Sequence, residues 1–139
     1  MKIILVDNHN LFREGLKLWI ENIGLGEVIA EADNAADFID LLKQNNPDLV
    51  ILDFEMPDMD GVDTTRLALK IQPELKILGI TQQNDFNNYA EMILAGATGF
   101  MLKTSGNDEF VKAIKSVAMG ECYFSEDLLP AKEIELNFY

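Results

Sequence analysis

Basic residues are scarce in this chain: its 139 residues hold 11 Lys and Arg against 24 Asp and Glu, a formal net charge of -13. Such a balance is repelled by nucleic-acid phosphates and anionic lipid faces, so direct nucleic-acid binding by this segment is not expected, nor attachment to a membrane. Cysteine is scarcer still. Cys122 stands alone, which excludes an internal disulfide and a cysteine-based zinc site and agrees with a reducing compartment. A buried or half-buried thiol is the expectation there. No apolar run approaches the roughly 18 residues of a membrane span, and the opening run is cut at Asp7, far short of a signal-peptide core. A cytoplasmic location follows as the expectation. Low-complexity tracts are absent too, and 139 residues with 48% hydrophobic content fit one domain with an adequate core.

What is present alternates between two periodicities. Short runs rich in Ile, Val and Leu recur at "KIILV", "EVIAEA", "DLVILDF", "LKILGIT" and "TGFMLK", which read as five buried strands. Between them lie helical stripes: Phe12, Leu16, Trp19, Ile20 and Ile23; Ala35, Phe38, Ile39 and Leu42; Phe86, Tyr89, Ala90 and Ile93; Phe110, Ala113, Ile114, Val117 and Ala118. Gly61 to Ile71 is helical by position. Asn34 with Asp37, and Asn107, are cap candidates, and the prolines of "NNPD" and "QPEL" mark helix ends. Phe12 and Trp19 are expected in the core. Alternating strands and helices require parallel pairing through right-handed crossovers, hence a doubly wound parallel sheet of the (βα)5 kind. In such folds ligands gather beyond the carboxyl ends of the strands.

The residues just past each run therefore matter most. Strand one ends in Asp7 and Asn8, strand three in Asp53, strand four in Thr81 and strand five in Lys103. With strand order 2-1-3-4-5 these four ends converge on one rim. A carboxylate there is a nucleophile toward a phosphoryl group, giving an acyl phosphate. The obstacle is charge, since two unit charges about 4 Å apart interact by roughly 4 kcal/mol at an effective dielectric of 20. Mg²⁺ suits the oxygens, Lys103 supplies a second cation for a phosphoryl oxygen, and Thr81 a hydrogen bond to another. Two enzyme readings on a similar scaffold fit poorly: "DNHN" is not the Ser/Thr/Gly-rich cradle of a flavin carrier, and His9 stands where an aspartate phosphatase needs a second acid.

The stretch "VILDFEMPDMDG", the acid after strand one, "GIT" at strand four and "GFMLK" at strand five together resemble the receiver domain of two-component response regulators, a flavodoxin-like fold, over about residues 1–120. "NHNLFREGLKLWI", "AGATGFMLK" and "VAMGECYFSEDLL" further resemble receivers that precede LuxR-type helix-turn-helix DNA-binding domains. The resemblance implies a signalling phosphoacceptor rather than an enzyme. Asp53 would take phosphate from a sensor histidine kinase with Mg²⁺ present, Thr81 and Lys103 would hold the phosphoryl group, and Phe100 would be the aromatic that reorients on activation. It also implies metal ligation by Asp7, the residue at position 8, Asp53 and the backbone carbonyl of Glu55, a transcriptional output, and homodimerisation through the last helix and its neighbours.

One departure stands out against that family. Its members usually carry two adjacent acids after strand one, and here the second is Asn8. An amide oxygen is still a hard ligand, but one negative charge is gone, so weaker Mg²⁺ binding is expected. The competing expectation is a binding module of the same fold that works without phosphorylation. Glu55 and Gln83 side chains should flank the pocket mouth. His9, the single histidine, reads as a surface or capping residue. Met56, Pro57 and Met59 build the acceptor loop, and Asp60-Gly61 its exit. Residues 1–122 form the receiver-like unit, and 123–139 a tail or the start of a linker.

Overall fold

The computed structural model describes residues 1–83 and 85–124. The expected tail from residue 125 onward and the side chain of Phe86 lie outside that range. The elements follow in strict alternation: β1 (Lys2–Val6), α1 (Asn10–Asn22), β2 (Glu27–Ala32), α2 (Ala35–Leu42), β3 (Leu49–Asp53), α3 (Gly61–Ile71), β4 (Ile77–Thr81), α4 (Phe86–Ala95), β5 (Gly99–Leu102), α5 (Asn107–Ala118) and β6 (Tyr123–Phe124). All pairings are parallel, in the order β2-β1-β3-β4-β5-β6. The five expected strands and their order are present, and the short β6 extends the sheet past β5. No helix among the described residues is long and apolar enough to cross a membrane.

The period of two along each strand divides the core into layers. Ile3 and Leu5 of β1, with Leu49 and Ile51 of β3, face α1 and α5, where Leu16, Ile20, Phe110, Ala113, Ile114 and Val117 receive them. Ile4, Val6, Val50 and Leu52 point the other way, onto Phe38, Ile39 and Leu42 of α2 and Ala68 of α3. Strands buried on both faces need continuous apolar sequence, which is what "KIILV" and "LVILD" supply. Each such fully buried Ile or Leu contributes about 1.5–3 kcal/mol of burial, so the strand ends are fixed on a stiff platform.

Some local expectations shift. On α4 the buried side chains are Tyr89, Met92 and Ala95, with Phe100 and Leu102 of β5, while Ile93 is exposed. Phe12 and Trp19 pack on the α1/α5 core from its edge and are half-buried rather than interior. Helix α2 stops at Leu42, well before Pro47, whereas α3 does stop just before Pro73. Gly106, not Asn107, is the N-cap of α5, and its backbone at φ 89° is one that glycine adopts freely. Cys122 is exposed, because it falls in the turn between α5 and β6.

The amino end of α2 ties the acceptor loop to the body. Asn34 accepts from the Asp37 N–H at 2.8 Å, while Asp58, in the loop after β3, accepts from the Ala35 and Ala36 N–H groups at 2.9 and 3.0 Å. Three helix-end donors are thereby satisfied, two of them by a residue over twenty positions away. Those N–H bonds, that of Ala35 first, hold the Asp58 carboxyl below the ordinary carboxylate range. A depressed folded pKa stabilises above the unfolded value, near 3.9, and that contribution is lost as pH falls through the folded one. Asp58→Asn is expected to cost about 0.5–1 kcal/mol at pH 7, the lower part of the range for a cap because the group is exposed. Urea unfolding at pH 7 and pH 3 checks this, with the gap between the two proteins closing at the lower pH.

Gly79 of β4 pairs with Phe100 of β5. A Cβ at Gly79 would lie 2.6 Å from Phe100 Cδ1 and 2.7 Å from Met92 Cε, so the ring occupies space that only glycine leaves open. Gly79→Ala is expected to destabilise by about 1–3 kcal/mol through overpacking, read from the urea midpoint.

Candidate functional site

Because the strands are parallel, their carboxyl ends meet on one rim. β1 delivers Asp7, whose N–H donates to the Ala32 carbonyl of β2 at 3.0 Å. β3 ends on Asp53 and β4 on Thr81, and the residue after β5 is Lys103, whose N–H donates to the Thr81 carbonyl at 2.8 Å. Asp7, Asp53, Thr81 and Lys103 are all buried. Charged groups are seldom buried unless paired.

Here they are paired. Lys103 Nζ lies 2.8 Å from Asp7 Oδ2 and 3.2 Å from Asp53 Oδ2, with its stem buried to the end. The ammonium also sits 4.8 Å from the centre of the Phe12 ring, a cation–π contact from α1. Asp53 Oδ1 is held by the Glu55 N–H at 3.0 Å, which fixes the carboxylate plane. Asp53 is 1% exposed, and its carboxyl is pushed up to about 6. Burial is the main cause; the Asp7 charge adds to it, and the Glu55 N–H and Lys103 oppose it. Above that value the carboxylate is ionised and nucleophilic.

Two carboxylates facing one ammonium leave net negative charge in the pocket. Asp7 Oδ2, on a residue 3% exposed, has no hydrogen-bond partner, since the Lys103 ammonium is close but not aligned as a donor to it. A buried anionic oxygen in that state is the donor a cation takes. The residues therefore fit a divalent metal, with Asp7 and Asp53 as the carboxylate donors.

Thr81 stands beside this group rather than in it. Its hydroxyl donates to Glu55 Oε1 at 3.0 Å and accepts from the Gln83 N–H at 3.1 Å. Glu55 is half-buried and Gln83 exposed, while Asn8 is exposed just past the end of β1. Phe100 is fully buried, its ring edge-on to Phe54 at 5.9 Å, and Phe54 directly follows Asp53. The aromatic contact thus joins the end of β3 to the α4–β5 side of the sheet.

Two residues enter the site that sequence patterns did not place there. His9 is the N-cap of α1 but makes no side-chain cap; its ring turns back over the rim. Nδ1 lies 3.0 Å from Lys103 Nζ, 3.2 Å from Asp7 Oδ1 and 3.7 Å from Asp53 Oδ2. One ring nitrogen either donates to Asp7 or accepts from Lys103, not both at once. Arg13, one turn into α1, donates through its guanidinium to the Asp7 backbone carbonyl and, 3.1 Å away, to Glu31 Oε1 of β2. The available signal was spacing: His9 is two residues from Asp7, at the helix start where a side chain can reach back over the strand end.

Comparison with known proteins agrees with this architecture. The family model described as "Response regulator receiver domain" matches residues 3–115. The response regulator GacA of Pseudomonas aeruginosa is 33% identical over all of this chain and 64% of its own length; the transcriptional regulatory protein DegU of Brevibacillus brevis is 32% identical over 88% of this chain and 52% of its own. The chain thus spans half to two thirds of these curated relatives. Among solved structures, a LuxR-family two-component response regulator from Aurantimonas sp. SI85-9A1 superposes with a TM-score of 0.89 at 31% identity, covering 95% of this chain and 96% of that one. The signal receiver domain of the putative response regulator NarL from Mycobacterium tuberculosis gives 0.80 at 33% identity, covering 86% of this chain and 97% of that one. A parallel sheet in receiver order, with acids, hydroxyl and lysine at its strand ends, and a family match over most of the chain place it among the response regulator receiver domains.

Proposed function

We propose that this receiver accepts a phosphoryl group on Asp53 from a phosphohistidine of a sensor histidine kinase. The observation that carries the reading is the buried Asp53 carboxylate, ionised at neutral pH and within 3.2 Å of the Lys103 ammonium. In the transfer a carboxylate oxygen forms the new P–O bond as the P–N bond of the donor breaks. The electron pair of that bond stays on the donor imidazole, which takes up a proton. Lys103 neutralises charge on the incoming phosphoryl oxygens, and the Thr81 hydroxyl, released from Glu55, donates to another. A bound Mg²⁺ would be held by Asp7, Asp53, the Asn8 side chain and the Glu55 backbone carbonyl, and supplies the positive charge that lets two anions meet.

The product changes the charge at the junction of β3, β4 and β5. Thr81 and the Phe54–Phe100 contact connect that junction to α4 and β5, so the switch is read on the α4–β5–α5 face. The reading extends to a transcriptional output in the longer protein, to homodimerisation near α5, and to residues 123–139 as a linker to an output domain. It places the protein in the cytoplasm, acting as a phosphoacceptor that assists its own transfer rather than as an enzyme.

The test is intact mass after incubation with acetyl phosphate, with and without Mg²⁺. One phosphate adduct is expected, absent in Asp53→Asn and without metal, and formed several-fold faster in Asn8→Asp. An adduct in Asn8→Asp but none in the wild type would sink the phosphoacceptor reading and favour a receiver-like binding module that works without phosphorylation.

A further inference from the structure

We propose that the pocket takes its divalent cation through the His9 imidazole together with Asp7 and Asp53, and so prefers an ion of the Co²⁺ or Zn²⁺ kind to Mg²⁺. Asp7, His9 and Asp53 each offer one donor atom, and these lie within 4.8 Å of one another. All three already converge on a single positive charge, the Lys103 ammonium, at 2.8, 3.0 and 3.2 Å from Asp7, His9 and Asp53 respectively. A bound ion competes with that ammonium for the same carboxylate oxygens.

The ring is set in place by the backbone. The His9 N–H donates to Asp7 Oδ1 at 2.8 Å, closing a short turn that brings the imidazole over the carboxylates. Asp7 Oδ2 is buried without a hydrogen bond and aimed into the same space. The His9 side chain is 44% exposed, which leaves the ion a route in from solvent.

The donor chemistry then decides the metal. Mg²⁺ demands oxygen ligands and dehydrates reluctantly, whereas an imidazole suits Zn²⁺ and its first-row neighbours. Asn8, where receivers usually have a second acid, removes one hard anionic ligand, while His9 adds a nitrogen. Both changes move the site in one direction. The inference rests on this pocket holding a divalent cation and is independent of whether Asp53 is phosphorylated.

The chain has one histidine, so its two ring nitrogens give a unique pair of ¹⁵N resonances. The experiment uses the metal-stripped full chain carrying Cys122→Ser, because the exposed thiol would otherwise take zinc. One equivalent of Zn²⁺ is expected to shift Nδ1, and the same concentration of Mg²⁺ to leave it in place. By calorimetry, His9→Gln should weaken Zn²⁺ binding at least about tenfold while changing Mg²⁺ affinity by less than about twofold. An unmoved Nδ1, a shift that survives in Asp7→Asn with Asp53→Asn, or an unchanged Zn²⁺ to Mg²⁺ ratio in His9→Gln would each overturn the proposal. Phosphate adduct formation plays no part in these readouts, so failure of the phosphoacceptor reading would be seen separately.

Discussion

The Lys103 ammonium between Asp7 and Asp53 is the interaction around which the site is built. Taking two carboxylates out of water costs several kcal/mol each, and a buried ion pair often no more than breaks even against apolar side chains of the same shape. The arrangement is therefore a poor way to stabilise a fold and a good way to hold charge ready for chemistry. Lys103 is the only buried cation among the described residues, and removing it leaves both acids facing each other without compensation. The Phe12 ring over the ammonium and the Arg13 guanidinium on the Asp7 carbonyl both come from α1, so this helix fixes the pocket from the side opposite to α4.

The rest of the molecule makes that charge cluster affordable. Parallel strands deliver Asp7, Asp53, Thr81 and Lys103 to one rim because every strand runs the same way, and two apolar layers hold the strands in register. The Asp58 clamp on α2 restrains the loop that leaves Asp53. On the other side, the Phe54–Phe100 contact and the glycine space at Gly79 link Asp53 to the packing beneath α4. A change in charge at the rim thus meets a tightly packed neighbour on the same strand pair, where small shifts are felt.

Much of this was legible in the sequence. Strands buried on both faces carry unbroken apolar runs, and the polar residue after each run marks the rim, so the fold and the placement of Asp7, Asp53, Thr81 and Lys103 follow from periodicity. Side-chain direction at helix starts does not. His9 looked like a cap because its position is that of an N-cap, yet its ring was drawn to the carboxylates and the ammonium. Phe12 and Trp19 keep the stripe of a core helix while lying at its margin, since periodicity gives the face of a helix and not the depth of its cover. The exposed Cys122 and the extra strand β6 depend on how the chain turns after α5, which a two-residue strand signals too weakly to read.

The central claim is that Lys103 balances two buried carboxylates, and chemical unfolding in the presence of a chelator tests it most directly. Lys103→Met should destabilise by about 3–5 kcal/mol, and combining it with Asp7→Asn and Asp53→Asn should restore stability to within about 1 kcal/mol of the wild type or above it. A loss below about 1 kcal/mol in Lys103→Met, or a triple variant no more stable than Lys103→Met alone, would contradict the account.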